Sequence, residues 1–164
     1  MESVLDENYQ EEDTQKGKFL TFSLEEESYG IEIKHVTEII GILPITVVPE
    51  LPDFIKGIVN LRGKIIPVMD MRLKFKKDYL AYNERTCIIV VDVREHSVGL
   101  IVDSVAEVTN IRDEDIVDQP LLSSGASNQY IKSIGKVNNE VKLLLDCEKL
   151  LSNQEYDIIF DMEE

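Results

Sequence analysis

PELPDFIKGIVNLRGKIIPVMDMRLKF, residues 49–75, sets two short apolar runs on either side of the dipeptide Arg62-Gly63. Two apolar runs joined by a tight, Gly-containing connection predict a β-hairpin, because glycine adopts the backbone conformation such a turn requires at no steric cost. Pro49 and Pro52 stiffen the entrance. Pro67, inside KIIPVM, cannot donate to a ladder, so it is expected at an edge or a bulge. The segment carries five Lys/Arg against three Asp/Glu within a chain of net charge −15. Arg62 cannot enter a core unpaired at low cost, so its guanidinium is expected on the turn tip, held by rigid strands. Two readings fit that position: an ordinary solvated turn residue, or a contact presented to a partner.

The same short, β-like pattern extends on both sides. KFLTFSL alternates through Leu20, Phe22 and Leu24, Glu25 to Glu27 form a solvated bend, and SYGIEI resumes the apolar beat. LPITVV, TCIIVVDV, SVGLIV, QYIKSIG and EVKLLL are further strand candidates, several without clean alternation, as in strands covered on both faces. Helical signals are brief. In KHVTEIIG, Val36, Ile39 and Ile40 share a helical face and Gly41 can end it. In DCEKLLSN, Asp146 can serve as N-cap while Leu150 and Leu151 pack inward. Residues 1–17 are acidic and aperiodic and read as a disordered tail. Residues 153–164 hold five acids and no base, and fit either a tail or a short helical extension. The fold class is mainly all-β, as small barrels or a sandwich.

The chain also repeats itself. YGIEIKHVTEI from Tyr29 aligns with VGLIVDSVAEV from Val98 at an offset of 69, matching Gly30 with Gly99, Glu38 with Glu107 and Ile39 with Val108. A second match, at an offset of 76, pairs Ile55 with Ile131, Ile65 with Val141 and Asp70 with Asp146. Two matches in one order imply a duplication, with subdomains expected over about residues 18–83 and 84–152.

Composition narrows function. A pI near 4.5 disfavours nucleic acid and anionic membranes. No run approaches the roughly 20 apolar residues of a membrane span, and the acidic N-terminus is unlike a signal peptide, so a cytoplasmic protein is expected. Cys87 and Cys147, each beside an apolar run, read as reduced and buried. His35 and His96 have no ligand at metal spacing and read as surface residues. The acidic run from Arg112 to Asp118 lacks the glycine and ligand spacing of a calcium loop. Ser123, Ser124 and Ser127 have no base in view, and nothing in the sequence brings Glu38 and Asp70 together as a catalytic pair. No catalytic residue, metal or cofactor is expected, and a binding module is.

The residues Tyr29–Ile39, Pro52–Phe75, Val98–Val108 and Leu143–Leu151 closely resemble those of the CheW family of bacterial chemotaxis coupling proteins, over about residues 18–152. The resemblance implies two five-stranded, SH3-like β-barrel subdomains with short helices. It also implies a non-catalytic adaptor linking the cytoplasmic tips of methyl-accepting chemoreceptors to the CheW-like regulatory domain of the histidine kinase CheA, monomeric alone and assembled in receptor arrays. Val36, Glu38 and Arg62 match the family's receptor-facing and coupling positions. Val105 and Val108 match the apolar rim of the second subdomain, and Gly57, Gly63 and Gly99 match the structural glycines and turn. Met71 stands where Leu is common, a nearly volume-conserving change, and residues 121–128 match poorly. A CheW-like scaffold for another receptor–kinase pathway, in surface motility or gene regulation, is the alternative.

Overall fold

A computed structural model describes residues 15–118 and 129–160. Of the tail expected over residues 1–17, residues 1–14 lie outside the described residues, as do the 121–128 loop and residues 161–164, while the Gly17 carbonyl is fastened to the domain by the Ile111 N–H at 2.8 Å. Eleven strands are present among them: β1 (Lys18–Leu24), β2 (Glu27–Glu32), β3 (Val36–Gly41), β4 (Ile55–Leu61), β5 (Lys64–Asp70), β6 (Cys87–Val93), β7 (His96–Val102), β8 (Ser104–Asn110), β9 (Ile116–Asp118), β10 (Ile131–Val137) and β11 (Glu140–Leu145). Two helices, α1 (Met71–Lys74) and α2 (Asn153–Phe160), follow β5 and β11.

The strands form two sheets, ordered β8-β1-β2-β11-β10-β9 and β3-β6-β7-β5-β4. The first is six-stranded rather than five-stranded because the three-residue β9 adds to its edge. Each sheet closes on itself. In the five-stranded sheet the chain after β3 crosses to the far edge, where Thr46 and Ile58 exchange backbone hydrogen bonds of 2.9 Å. In the other sheet β9 does the same, setting Val117 opposite Ile134.

The duplication is visible in the topology. Replacing β1, β2, β3, β4 and β5 by β6, β7, β8, β10 and β11, and the reverse, converts one strand order into the other, β9 aside. The matching glycines take matching partners, with Gly30 opposite Leu144 and Gly99 opposite Val68 across parallel pairs. The expected boundary between subdomains needs correction, however. The copies are sequential in the chain but exchanged in space. The β1–β2 hairpin of the first copy joins β8–β11 of the second, and the β6–β7 hairpin joins β3–β5. Each barrel is therefore completed only by strands from the other half of the sequence.

This exchange explains the strands without alternation. One face of β6 points into its own barrel, where Ile88 and Val90 pack with Val59, Ile66, Val68 and Ile101. The other face, with Ile89, Val91 and Val93, joins the largest core, which lies between the two sheets and includes Phe22, Leu24, Ile31 and Leu100.

Two local expectations also change. Residues 36–41 form strand β3, not a helix, behind a 3-10 turn at Ile33–His35. β-branched Val36, Thr37, Ile39 and Ile40 suit a strand, and pairing with β6 satisfies their backbone. LPITVV contributes the single Thr46 bridge rather than a strand. Pro67 is accommodated as its chemistry requires. Ile58 turns its N–H and C=O toward Thr46, so its opposite number Pro67 owes β4 no donor, and pairing of β5 with β7 begins only at Val68. Asp146 caps its turn by accepting from the Glu148 N–H at 3.0 Å, and Leu150 and Leu151 are buried as expected. Residues 153–160 are helical, and Ile159 and Phe160 enter the shared core.

Candidate interaction surface

The Arg62-Gly63 connection is a two-residue turn in which both residues have positive φ, 52° and 88°, the pattern of a type I′ hairpin. The Asn60 side-chain oxygen accepts from the Gly63 N–H at 2.8 Å and fixes the turn from below. Arg62 is 70% exposed and its guanidinium donates to the Glu38 carboxylate. The two residues lie on opposite edges of the five-stranded order, so their contact depends on closure of the barrel. Glu38 and Asp70 do not form a carboxylate pair. Asp70 is buried and caps α1, accepting from the N–H groups of Arg72 and Leu73 and from the Tyr82 hydroxyl.

Val36 and Val105 occupy equivalent places on β3 and β8, and both pack against the shared core. Val108 is half-exposed. The structure thus places Val36, Glu38 and Arg62 on one barrel and Val105 and Val108 on the other. Gly57 has φ 147°, and a Cβ there would meet the Thr46 carbonyl oxygen at 2.1 Å. Gly99 is confined by neighbours alone, since a Cβ would lie 2.8 Å from both Ile88 and Val68.

Sequence reasoning named Val108 for the apolar rim but missed the three exposed apolar side chains that match it. Ile39 and Ile65 on one barrel are 43% and 46% exposed, and their repeat mates Val108 and Val141 on the other are 51% and 54% exposed. The signal was present, because the repeat alignment pairs these residues. Their exposure was not legible without knowing which strand faces are covered.

His96 departs from its expected place as a plain surface residue. Its ring packs 4.2 Å from that of Phe160, and its Nδ1 is hydrogen-bonded to the Tyr156 hydroxyl. It helps to seat α2 along a cavity of about 470 Å³ beside β5 and β7, floored by Ile58, Ile65 and Pro67 and walled by Ile159 and Phe160.

Beneath these surfaces, charge fastens the two barrels together. Arg72 grips Asp103 with two hydrogen bonds of 2.7 and 2.6 Å and reaches Glu25 at 3.3 Å. Asp103 stands where the chain passes from β7 in one sheet to β8 in the other, and it also accepts from the Glu25 N–H at 2.8 Å. Burial acts to raise the Asp103 carboxyl, but donation from Arg72 and from the Glu25 backbone holds it below the usual range. Cys147 is buried, and its thiol is pushed up to about 12 by burial and by neighbouring acids, Asp146 foremost. Cys87 is partly buried, and both are free thiols. No helix among the described residues is long and apolar enough to cross a membrane.

A family profile described as "CheW-like domain" matches residues 18–155. Chemotaxis protein CheW of Klebsiella aerogenes is 38% identical over 142 residues, covering 87% of this chain and 86% of that protein. Protein FrzA of Myxococcus xanthus is 26% identical over 135 residues, covering 82% and 84%. The crystal structure of the scaffolding protein TtCheW from Thermoanaerobacter tengcongensis superposes with a TM-score of 0.78 at 34% identity, covering 85% of this chain and 94% of that one. A profile match across most of the chain, with sequence and fold in agreement, establishes that the chain belongs to the CheW family.

Proposed function

We propose that this protein is a non-catalytic adaptor that couples the cytoplasmic tips of methyl-accepting chemoreceptors to the CheW-like regulatory domain of the kinase CheA. It acts in the cytoplasm, at receptor arrays. The observation that carries the reading is the pair of closed barrels, each exposing apolar strand residues at equivalent positions, with a rigidly mounted Arg62 on one of them. Two similar faces on one rigid body suit a protein that holds two partners at once. A flat contact of this kind draws on apolar burial, at about 25 cal/mol per Å² before association costs. Arg62, with Glu38 and Val36, contacts the receptor, while Val105 and Val108 form the apolar rim of the other barrel. The planar guanidinium suits the carboxylates and carbonyls of a helical hairpin tip.

The test is a pair of titrations of Arg62→Ala, one with a receptor signalling fragment and one with the kinase regulatory domain. Loss of about thirtyfold in receptor affinity, roughly 2 kcal/mol, with kinase binding retained is the expected result. Unchanged receptor affinity returns Arg62 to an ordinary turn residue. The match to FrzA, a relative that does not carry the CheW name, supports a second reading, a scaffold of the same design in another receptor–kinase pathway. Parallel titrations with receptor fragments from each pathway separate the two.

A further inference from the structure

We propose that the groove of about 560 Å³ between β2 and β11 is a seat for a basic amphipathic helix of a partner protein. It is the repeat mate of the cavity beside β5 and β7. Residues 26–28 and 140–143 line the one, and their counterparts 95–97 and 64–67 contribute to the other. The two grooves are finished differently. Beside β5 and β7 the chain that leaves β11 continues as α2, and Ile159 and Phe160 wall the cavity. Beside β2 and β11 the corresponding segment, after β5 and α1, reaches Glu27 only through Lys77. It then turns away, with Tyr82 bonded to Asp70 at 2.8 Å and Tyr79 under Lys56 at 4.9 Å. Among the described residues no helix lies in the second groove as α2 lies in its mate, and Val141 in it is 54% exposed.

Charge selects the occupant. Of the lining carboxylates Glu27 pairs with Lys77 and Glu140 with Lys142, which also donates to Ser28, the last two contacts at 3.0 Å each. Among the described residues Glu26 has no ion-pair partner. A second copy of α2 is a poor fit, because NQEYDIIF carries two acids and no base. An apolar pair flanked by Lys or Arg, on a helix laid into the groove, satisfies both the exposed Val141 and the unpaired Glu26 on an acidic rim.

The inference is independent of the coupling role, and its test uses neither receptor nor kinase. Two helix-constrained peptides are titrated into the full chain and followed by backbone amide shifts: NQEYDIIF, and the same sequence with Glu155→Lys and Asp157→Lys. The lysine peptide is expected to shift amides at 26–28 and 140–143 and to bind at least tenfold more tightly than the acidic one. Val141→Asp, and separately Glu26→Lys with Glu140→Lys, are expected to weaken it at least tenfold. Equal binding of the two peptides, no shift at those amides, or shifts centred on 64–67 and 95–97 would overturn the proposal.

Discussion

At the scale of single residues, two glycines in one hairpin do different work. Gly57 lies where the crossing segment closes the barrel, and a methyl group there would sit 2.1 Å from the Thr46 carbonyl oxygen in addition to straining a φ of 147°. Backbone on backbone cannot yield as a side chain can. Gly57→Ala is expected to cost about 3 kcal/mol or more. Gly63 faces open space and needs only its positive φ, so Gly63→Ala should cost about 1 kcal/mol. Denaturant midpoints of the two variants measure the contrast, and equal losses would contradict it. Arg62→Ala should change stability by no more than about 0.5 kcal/mol, since an exposed ion pair to Glu38 contributes little. A melt beside the binding titrations checks this. Gly63 was legible from the dipeptide and its flanking runs. The reason for Gly57 was not, because it depends on Thr46, eleven positions away in the chain, arriving across the barrel.

At the scale of elements, α2 rests on one buried cation. The Lys74 side chain is 2% exposed, pairs with Glu155 at 3.0 Å, and lies 4.1 Å from the Phe54 ring and 4.8 Å from that of Tyr130. Removing the carboxylate alone leaves a buried ammonium without its counter-charge. Glu155→Gln is therefore expected to cost about 3 kcal/mol, while Lys74→Met, which keeps the packing, should be near neutral. Urea unfolding of both variants tests this, and the reverse order would show that the ion pair itself holds the helix. Acid should act through the same groups. Burial acts to raise Glu155, but the Ser152 N–H and Lys74 hold its carboxyl below the usual range, as Arg72 does for Asp103. A depressed carboxylate contributes stability that is present above its unfolded value of about 4 and is lost as pH falls through the lower folded one. Stability should fall on acidification below about pH 4, and Asp103→Asn should flatten that limb in melts taken as a function of pH. The helical reading of residues 34–41 failed at this scale because Val36, Ile39 and Ile40 fit a helical face as well as a strand. The deciding fact, pairing with β6, is long-range.

At the scale of the whole molecule, the sequence disclosed two copies but not their exchange. Self-similarity records which segments descend from one pattern, and it is silent on which hairpin completes which sheet. Among the described residues, the β1–β2 and β6–β7 hairpins find both flanking strands in the other half of the chain, and the β4–β5 and β10–β11 hairpins find one there. That arrangement has a consequence for folding. A cut between Leu80 and Ala81, both exposed, yields a first half with β1–β5 and a second with β6–β11. The first half would keep the β1–β2 and β4–β5 hairpins but lose β8, β11 and β7 from their edges and β6 from β3. Isolated hairpins are marginal in water, and the core between the sheets draws on both halves. Neither fragment should fold alone. Mixed in equal amounts, they should assemble one to one and recover the native β spectrum, with affinity set by that shared core. The intact chain should unfold in one cooperative transition by every probe. Far-ultraviolet circular dichroism of each fragment, then of the mixture, with a mass measurement of the complex, decides the matter. A cooperative melt from either half alone would mean that the subdomains are sequential after all, and that the exchanged pairing of strands does not hold the molecule together.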